Sequence, residues 1–215
     1  MKKLLLFVVT ALLFQEMVHS QTKALTSDGN EVLLYSNGTW KYVDEKLSSD
    51  NASREVLMNA NPFRKSPASS FEVKSKKLNC SVFINPKKWK FSPAEDGGAG
   101  EYDFDFRNGD VYAMIITERT EIPMESLKDI AVKNAREVAP DLEVVEEEFR
   151  MVNNKKMFCM RMNGTIKGIQ FSYFGYYFSS PNGTIQFLTY TSINLFDSNR
   201  SEMEELLNGL VITKN

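Results

Sequence analysis

Residues 170–193 read QFSYFGYYFSSPNGTIQFLTYTSI, and the reading of this stretch decides the fold. Phe171, Tyr173, Phe174, Tyr176, Tyr177 and Phe178 put rings on both faces of one strand. Strand aromatics mostly pack against neighbours. This strand is therefore expected at the centre of a sheet, with a helix against each face. The other reading is an exposed aromatic platform for a glycan or a peptide. Pro181-Asn182-Gly183 is turn chemistry, so Thr184 to Ile193 is expected to return as the antiparallel partner.

The neighbouring sequence extends this hairpin. Leu142 to Val152 and Met157 to Met162 read as strands joined by a turn at Asn153 to Lys156, and Gly164 to Gly168 marks another turn or bulge. Together they make a four-strand antiparallel run. Before it, Pro123 opens a helix whose apolar positions Leu127, Ile130, Ala131, Ala135 and Val138 recur at three-and-four spacing, and Pro140 ends it. After it, Ser201 and Glu204 form a capping-box pattern ahead of Met203, Leu206, Leu207 and Leu210, with Gly209 as the stop signal. Upstream, Phe71 to Lys76 and Asn79 to Ile84 read as strands. Glu101 to Arg107 alternates strictly, with Tyr102, Phe104 and Phe106 on one face and Glu101, Asp103 and Asp105 on the other, as a half-buried strand does. Val111 to Glu118 follows as its neighbour. The fold class expected is α+β: a mostly antiparallel sheet with a central and a C-terminal helix packed on it.

The N-terminal third differs. Residues 1–20 combine Lys2 and Lys3, an apolar run from Leu4 to Phe14, and the small or modest residues Val18 and Ser20 before the expected cut, the pattern of a secretory signal peptide. The run is short of the ~20 residues that span a bilayer, and no later segment is apolar enough to cross one. Thr22 to Val43, with turns at Ser27 to Asn30 and Ser36 to Gly38, reads as a small β-meander carrying Trp40 and Tyr42 on one face of its last strand. Residues 44–70 are polar and aperiodic, with Pro62 and Pro67, and read as a linker with room for a short helix at Ser53 to Met58. Residues 71–215 form the main domain.

Of 215 residues, 26 are basic and 28 acidic, and 42% are hydrophobic. Loss of Lys2, Lys3 and Glu16 with the leader leaves 24 basic against 27 acidic side chains. That balance argues against nucleic acid and offers no polybasic patch for anionic lipid. The single histidine is His19, inside the leader. The exported chain therefore has no Ser-His-Asp or Cys-His nucleophile and no histidine-ligated zinc. Cys80 and Cys159 could form one disulfide in an oxidising compartment, or stay as two buried thiols.

The element order, FINPKKWKF at residues 83–91 with Pro86 and Trp89, and the terminal amphipathic helix resemble the PsbP-like α/β-sandwich superfamily over about Phe71 to Thr213. Its members include photosystem accessory proteins, a nuclear import factor and small bacterial envelope proteins. The resemblance implies a binding or accessory role and brings no catalytic residue onto this chain. The stretch SDGNEVLLYSNGTWKYV, residues 27–43, is similar to a short β element at the N-termini of secreted bacterial proteins.

Three groups of side chains are candidates for chemistry. Glu101, Asp103, Asp105 and Asp110 could offer oxygens to Ca²⁺, although residues two apart on a strand lie about 7 Å from each other. The same pattern is what a solvated strand face looks like. Trp40, Tyr42 and Trp89 are candidates for ligand or partner contact. The acidic run Asp141, Glu143, Glu146, Glu147 and Glu148 is either solvated or a docking surface for a basic partner. The function expected is a secreted or periplasmic, non-enzymatic accessory protein that contacts a protein or envelope component. The alternatives are an extracytoplasmic ligand- or calcium-binding protein and, below that, a hydrolase working on carboxylates alone.

Overall fold

The computed structural model describes residues 22–25, 31–35, 40–43, 56–95 and 98–213. The expected leader, both expected meander turns and the expected helix at Ser53 to Met58, apart from its last residues, lie outside them. The chain divides into two compact units, Met1–Arg54 and Glu55–Asn215.

In the first unit, β1 (Thr22–Leu25), β2 (Glu31–Leu34) and β3 (Trp40–Tyr42) form an antiparallel three-stranded meander in the order β1-β2-β3. Among its described side chains Val32 is buried, and Lys23 pairs with Glu31 at 3.4 Å across β1 and β2.

The second unit is built on an eight-stranded sheet in the order β4-β10-β11-β12-β13-β9-β8-β7. These strands are β4 (Met58–Phe63), β7 (Trp89–Pro93), β8 (Tyr102–Phe106), β9 (Val111–Glu118), β10 (Glu143–Val152), β11 (Lys155–Ile166), β12 (Ile169–Ser180) and β13 (Gly183–Ser192). A three-stranded sheet, β14-β6-β5, combines β5 (Phe71–Lys74), β6 (Cys80–Ile84) and β14 (Leu210–Ile212). Helix α1 spans Met124–Val138, and α2 spans Phe196–Leu207 after a 3₁₀ turn at Ile193–Leu195.

Two hairpins fix the register of the long strands. Asn153 and Asn154 have φ of 47° and 65°, and Lys167 and Gly168 have φ of 51° and 81°. Two successive positive φ values give the primed turns whose twist matches paired strands. Once β10, β11 and β12 are locked, alternation sends side chains to two faces. Phe174 and Tyr176 join Phe104, Val111, Ile115 and Phe187 beneath α2 (Phe196, Met203, Leu206, Leu207) and the small sheet (Val73, Val82, Ile84). Tyr177 joins Phe158, Met160 and Met162 beneath Leu127 and Ala131 of α1. The aromatic run at Phe171 to Phe178 is thus a central strand with a helix over each face, and the layers are α1, the large sheet, then α2 with the small sheet.

Several expectations are corrected. The linker read at residues 44–70 ends too late: Met58–Phe63 is the edge strand β4, parallel to β10. Its polar sequence hid it because its partner lies far along the chain. Pro62 suits an edge, where a missing N–H faces no neighbour. Asn153 ties this segment to the domain: its backbone N–H donates to Phe63 O at 3.0 Å, and its Oδ1 accepts from Lys65 N at 2.9 Å. Gly164 lies inside β11, and the turn is confined to Lys167 and Gly168. Helix α2 begins at Phe196, before the Ser201 pattern, and its N-cap Leu195 makes no side-chain cap bond. Burial of Phe196, rather than a capping box, sets that start. Leu210 leaves the helix for β14, which pairs with β6. Gly209 makes this possible through close approach: a Cβ there would stand 2.1 Å from Phe83 O.

Cys80 and Cys159 are free, buried thiols on different sheets, so the disulfide option gives way to packing. Burial raises the Cys80 thiol to about 11 and the Cys159 thiol to about 12, which leaves both protonated and unreactive at neutral pH. No helix among the described residues is long and apolar enough to cross a membrane.

Candidate functional site

The four candidate calcium ligands do not converge. Glu101 lies just before β8, and its carboxylate is taken up beside the small sheet. It accepts hydrogen bonds from Ser75 Oγ at 2.7 Å, from the Lys76 backbone N–H and from Thr117 Oγ1. Asp110 sits in the turn before β9, where its carbonyl accepts from Thr191 Oγ1 at 2.6 Å. Asp103 and Asp105 stand together on the α1-side face of β8, opposite Met114 and Tyr112 of β9. Among the described residues, no three His, Cys, Asp or Glu side chains come together as a metal-binding group.

Trp89 is not a contact residue. It is 1% exposed, tilted against Phe106 at 5.1 Å between ring centroids, and part of the core beneath α2. Trp40 is 44% exposed on β3 of the first unit, and Tyr42 lies two residues on in the same strand.

The acidic run is also drawn inward. A bulge between Val144 and Glu146 resets β10. Beyond it, Glu146 and Glu148 face α2, while Glu147 pairs with Lys128 of α1. Arg150, 3% exposed, bonds Glu148, Glu204 (3.1 Å) and the Tyr176 hydroxyl (3.3 Å), with its guanidinium 4.2 Å over the Phe63 ring. Arg161 and Arg200 both pair with Glu146, at 2.7 and 2.9 Å. Three arginines and three glutamates thus balance across β10, β11 and α2. Sequence reasoning missed this network; the signal for it was three arginines set in otherwise apolar strands and a helix.

The opposite face of the same sheet is different. Helix α1 covers the β10-β11-β12 half. Beyond the helix, Asp105, Tyr112 and Tyr190 line up in one row across β8, β9 and β13, and the row runs on to Tyr173 of β12, which packs at the margin of the α1 cluster. Tyr112 and Tyr190 stack at 5.6 Å with 25° between ring planes, and Tyr190 meets Tyr173 at 5.6 Å. Beside that row lies Leu188, spread over Gly175, where a Cβ would fall 2.6 Å from Leu188 Cδ2. That packing leaves no room for a side chain at Gly175. Tyr112 is 40% exposed. Burial, then Asp105 and Glu95, raise the Asp103 carboxyl above its ordinary range. Burial, then Asp103, push the Tyr190 hydroxyl up to about 12. Lys90, 3.5 Å from Asp105, is the one cation paired with these acids among the described residues. Sequence showed Asp103 and Asp105, but the three tyrosines become one feature only through strand register.

A shallow recess lined by Val73, Cys80, Tyr102 and Ile115 lies on the other face of β8, beside the small sheet, with essentially no enclosed volume.

No family model matches the chain, and no curated protein matches it. Solved structures do. The solution structure of cyanobacterial PsbP (CyanoP) from Synechocystis sp. PCC 6803 aligns at a TM-score of 0.51 and 13% identity, covering 69% of this chain and 95% of that one. LpqN of Mycobacterium tuberculosis, described as involved in cell envelope biogenesis, aligns at 0.48 and 10%, covering 67% and 90%. PA94 from Pseudomonas aeruginosa, a protein of unknown function and putative regulator, aligns at 0.44 and 8%, covering 67% and 98%. At such identities the likeness is one of architecture, and it agrees with the layers described above: this chain carries the PsbP-like α/β-sandwich fold.

Proposed function

We propose that this chain is an extracytoplasmic, non-enzymatic accessory protein that binds a protein or envelope component on the open half of its eight-stranded sheet. The observation that supports this most is the Tyr112–Tyr190–Tyr173 row, rimmed by Asp105, which holds Lys90 at 3.5 Å, and by Asp103, which pairs with no cation among the described residues. An aromatic, partly exposed surface suits a macromolecular contact, because tyrosine supplies large contact area at low entropy cost. The leader-like sequence at residues 1–20 supports export. Calcium binding has no three-carboxylate group to rest on among the described residues. A carboxylate hydrolase would need a convergent acid pair beside a cleft, and the recess beside Tyr102 lies on the other face of β8 from Asp103 and Asp105.

The test is affinity capture of the mature full-length protein from its own cell envelope, beside the Tyr112→Ala variant. Retaining residues 22–70 matters, since β4 belongs to the sheet. A specific partner held by the natural protein and lost by the variant is expected. A partner captured equally by both would move the interface elsewhere.

A further inference from the structure

The identity of the occupant follows from the charge and shape of this face, and rests on the reading of it as a binding surface. Tyr112 and Tyr190 present a nearly parallel ring pair, with Asp105 in the same row and Asp103 one pair further along. Asp105 and Glu95 both repel the Asp103 carboxylate, and Lys90, more than half exposed, pairs among the described residues with Asp105. The face is therefore aromatic and net negative. Ring faces attract cations electrostatically, above all guanidinium and ammonium groups within about 6 Å of the centroid, and carboxylates add charge-assisted hydrogen bonds.

The interior of the same protein already uses this pairing. Arg161 lies 4.5 Å over the Phe196 ring while bonding Glu146 at 2.7 Å. Arg150 lies 4.2 Å over Phe63 while bonding Glu204 at 3.1 Å. In each case a guanidinium is held between a ring and a carboxylate. On the open face the rings and the Asp103 carboxylate stand without a paired cation among the described residues, while Asp105 holds the half-exposed Lys90.

We propose that this face docks a basic segment of a partner protein, seating an arginine or lysine side chain on Tyr112 and Tyr190 with its charge against Asp103 and Asp105. An anionic lipid or glycan is repelled by the same carboxylates. A neutral sugar could stack on the rings but gains nothing from their uncompensated charge.

The experiment is an NMR titration of the isotopically labelled mature chain with a blocked Gly-Arg-Gly-Arg-Gly peptide. Two controls accompany it: the same peptide with citrulline for arginine, which keeps shape and removes charge, and tetramethylammonium. Saturable shifts are expected at the amides of Tyr112, Met114 and Tyr190. Affinity should fall about tenfold or more with citrulline, and by a similar factor in the Asp103→Asn/Asp105→Asn double variant, as expected when a charged partner is lost. It should also weaken as salt rises. The variant's amide spectrum away from this face should be unchanged, which separates lost binding from lost folding. The proposal is overturned by shifts elsewhere or none, by equal binding of the citrulline peptide, or by tetramethylammonium binding as tightly as the peptide. If the peptide fails while Tyr112→Ala still abolishes envelope capture, the occupant is wrong and the binding surface stands. If both fail, both readings fall.

Discussion

The two faces of the eight-stranded sheet handle charge in opposite ways. On the α2 side, Arg150, Arg161 and Arg200 meet Glu146, Glu148 and Glu204 in a closed set of ion pairs and cation–ring contacts. On the α1 side, beyond the helix, Asp103 feels the charges of Glu95 and Asp105, and Lys90 pairs with Asp105, beside a tyrosine row. The first arrangement ties β10, β11 and α2 together. The second does no visible structural work: Asp103 is pushed toward its protonated form by its own surroundings. Charge that is satisfied within the chain holds the fold, and charge left unsatisfied at a surface is available to something else.

Breaking the closed side should have the largest effect. Arg150→Ala leaves Glu148 and Glu204 without their shared buried partner, and removes the cation over Phe63. A loss of about 3–5 kcal/mol is expected, the range for breaking a buried ion pair by removing one partner; a denaturant midpoint close to that of the natural protein would show that the network is ornamental. Next comes Glu146→Gln, which weakens bonds from both Arg161 and Arg200. Because Arg200 and Glu146 are about one-third exposed, solvent screening limits the loss to about 1 kcal/mol, measurable in the same experiment.

The open side should respond with the opposite sign. An acid whose folded pKa is raised contributes stability below its unfolded pKa and loses that contribution as pH climbs through the folded value. Asp103 is such a group. Asp103→Asn should therefore leave stability at neutral pH unchanged or slightly raised, by less than about 0.5 kcal/mol. That gain should vanish below the ordinary aspartate value of 3.8. Chemical unfolding at neutral and at acid pH checks it. A clear loss of stability on this substitution would erase the contrast between the faces, because it would make Asp103 a structural residue too.

How much of this was legible beforehand depends on the range over which each feature is set. The alternation at Tyr102 to Phe106, the double-faced aromatic strand at Phe171 to Phe178 and the apolar stripe of α1 are local periodicities, and each gave its element correctly. The edge strand β4 carried no such pattern. It exists because β10, almost ninety residues on, offers it an edge, as the Asn59–Glu148 hydrogen bond illustrates (|i−j| = 89). The site divides the same way. Asp103 and Asp105 could be read as a polar strand face, whereas Tyr112, Tyr190 and Tyr173 are far apart in sequence and adjacent only in register.

The sequence by itself determined the α+β class, the antiparallel run with its asparagine and glycine turns, and the helices, since backbone conformation and amphipathic period are properties of neighbouring residues. Tertiary structure alone decided that Trp89 is core, that Cys80 and Cys159 stay apart as thiols, that the glutamates of β10 are matched by arginines, and that three tyrosines make one surface. Each of those depends on which strand lies beside which, and pairing register is fixed by contacts that no local window contains.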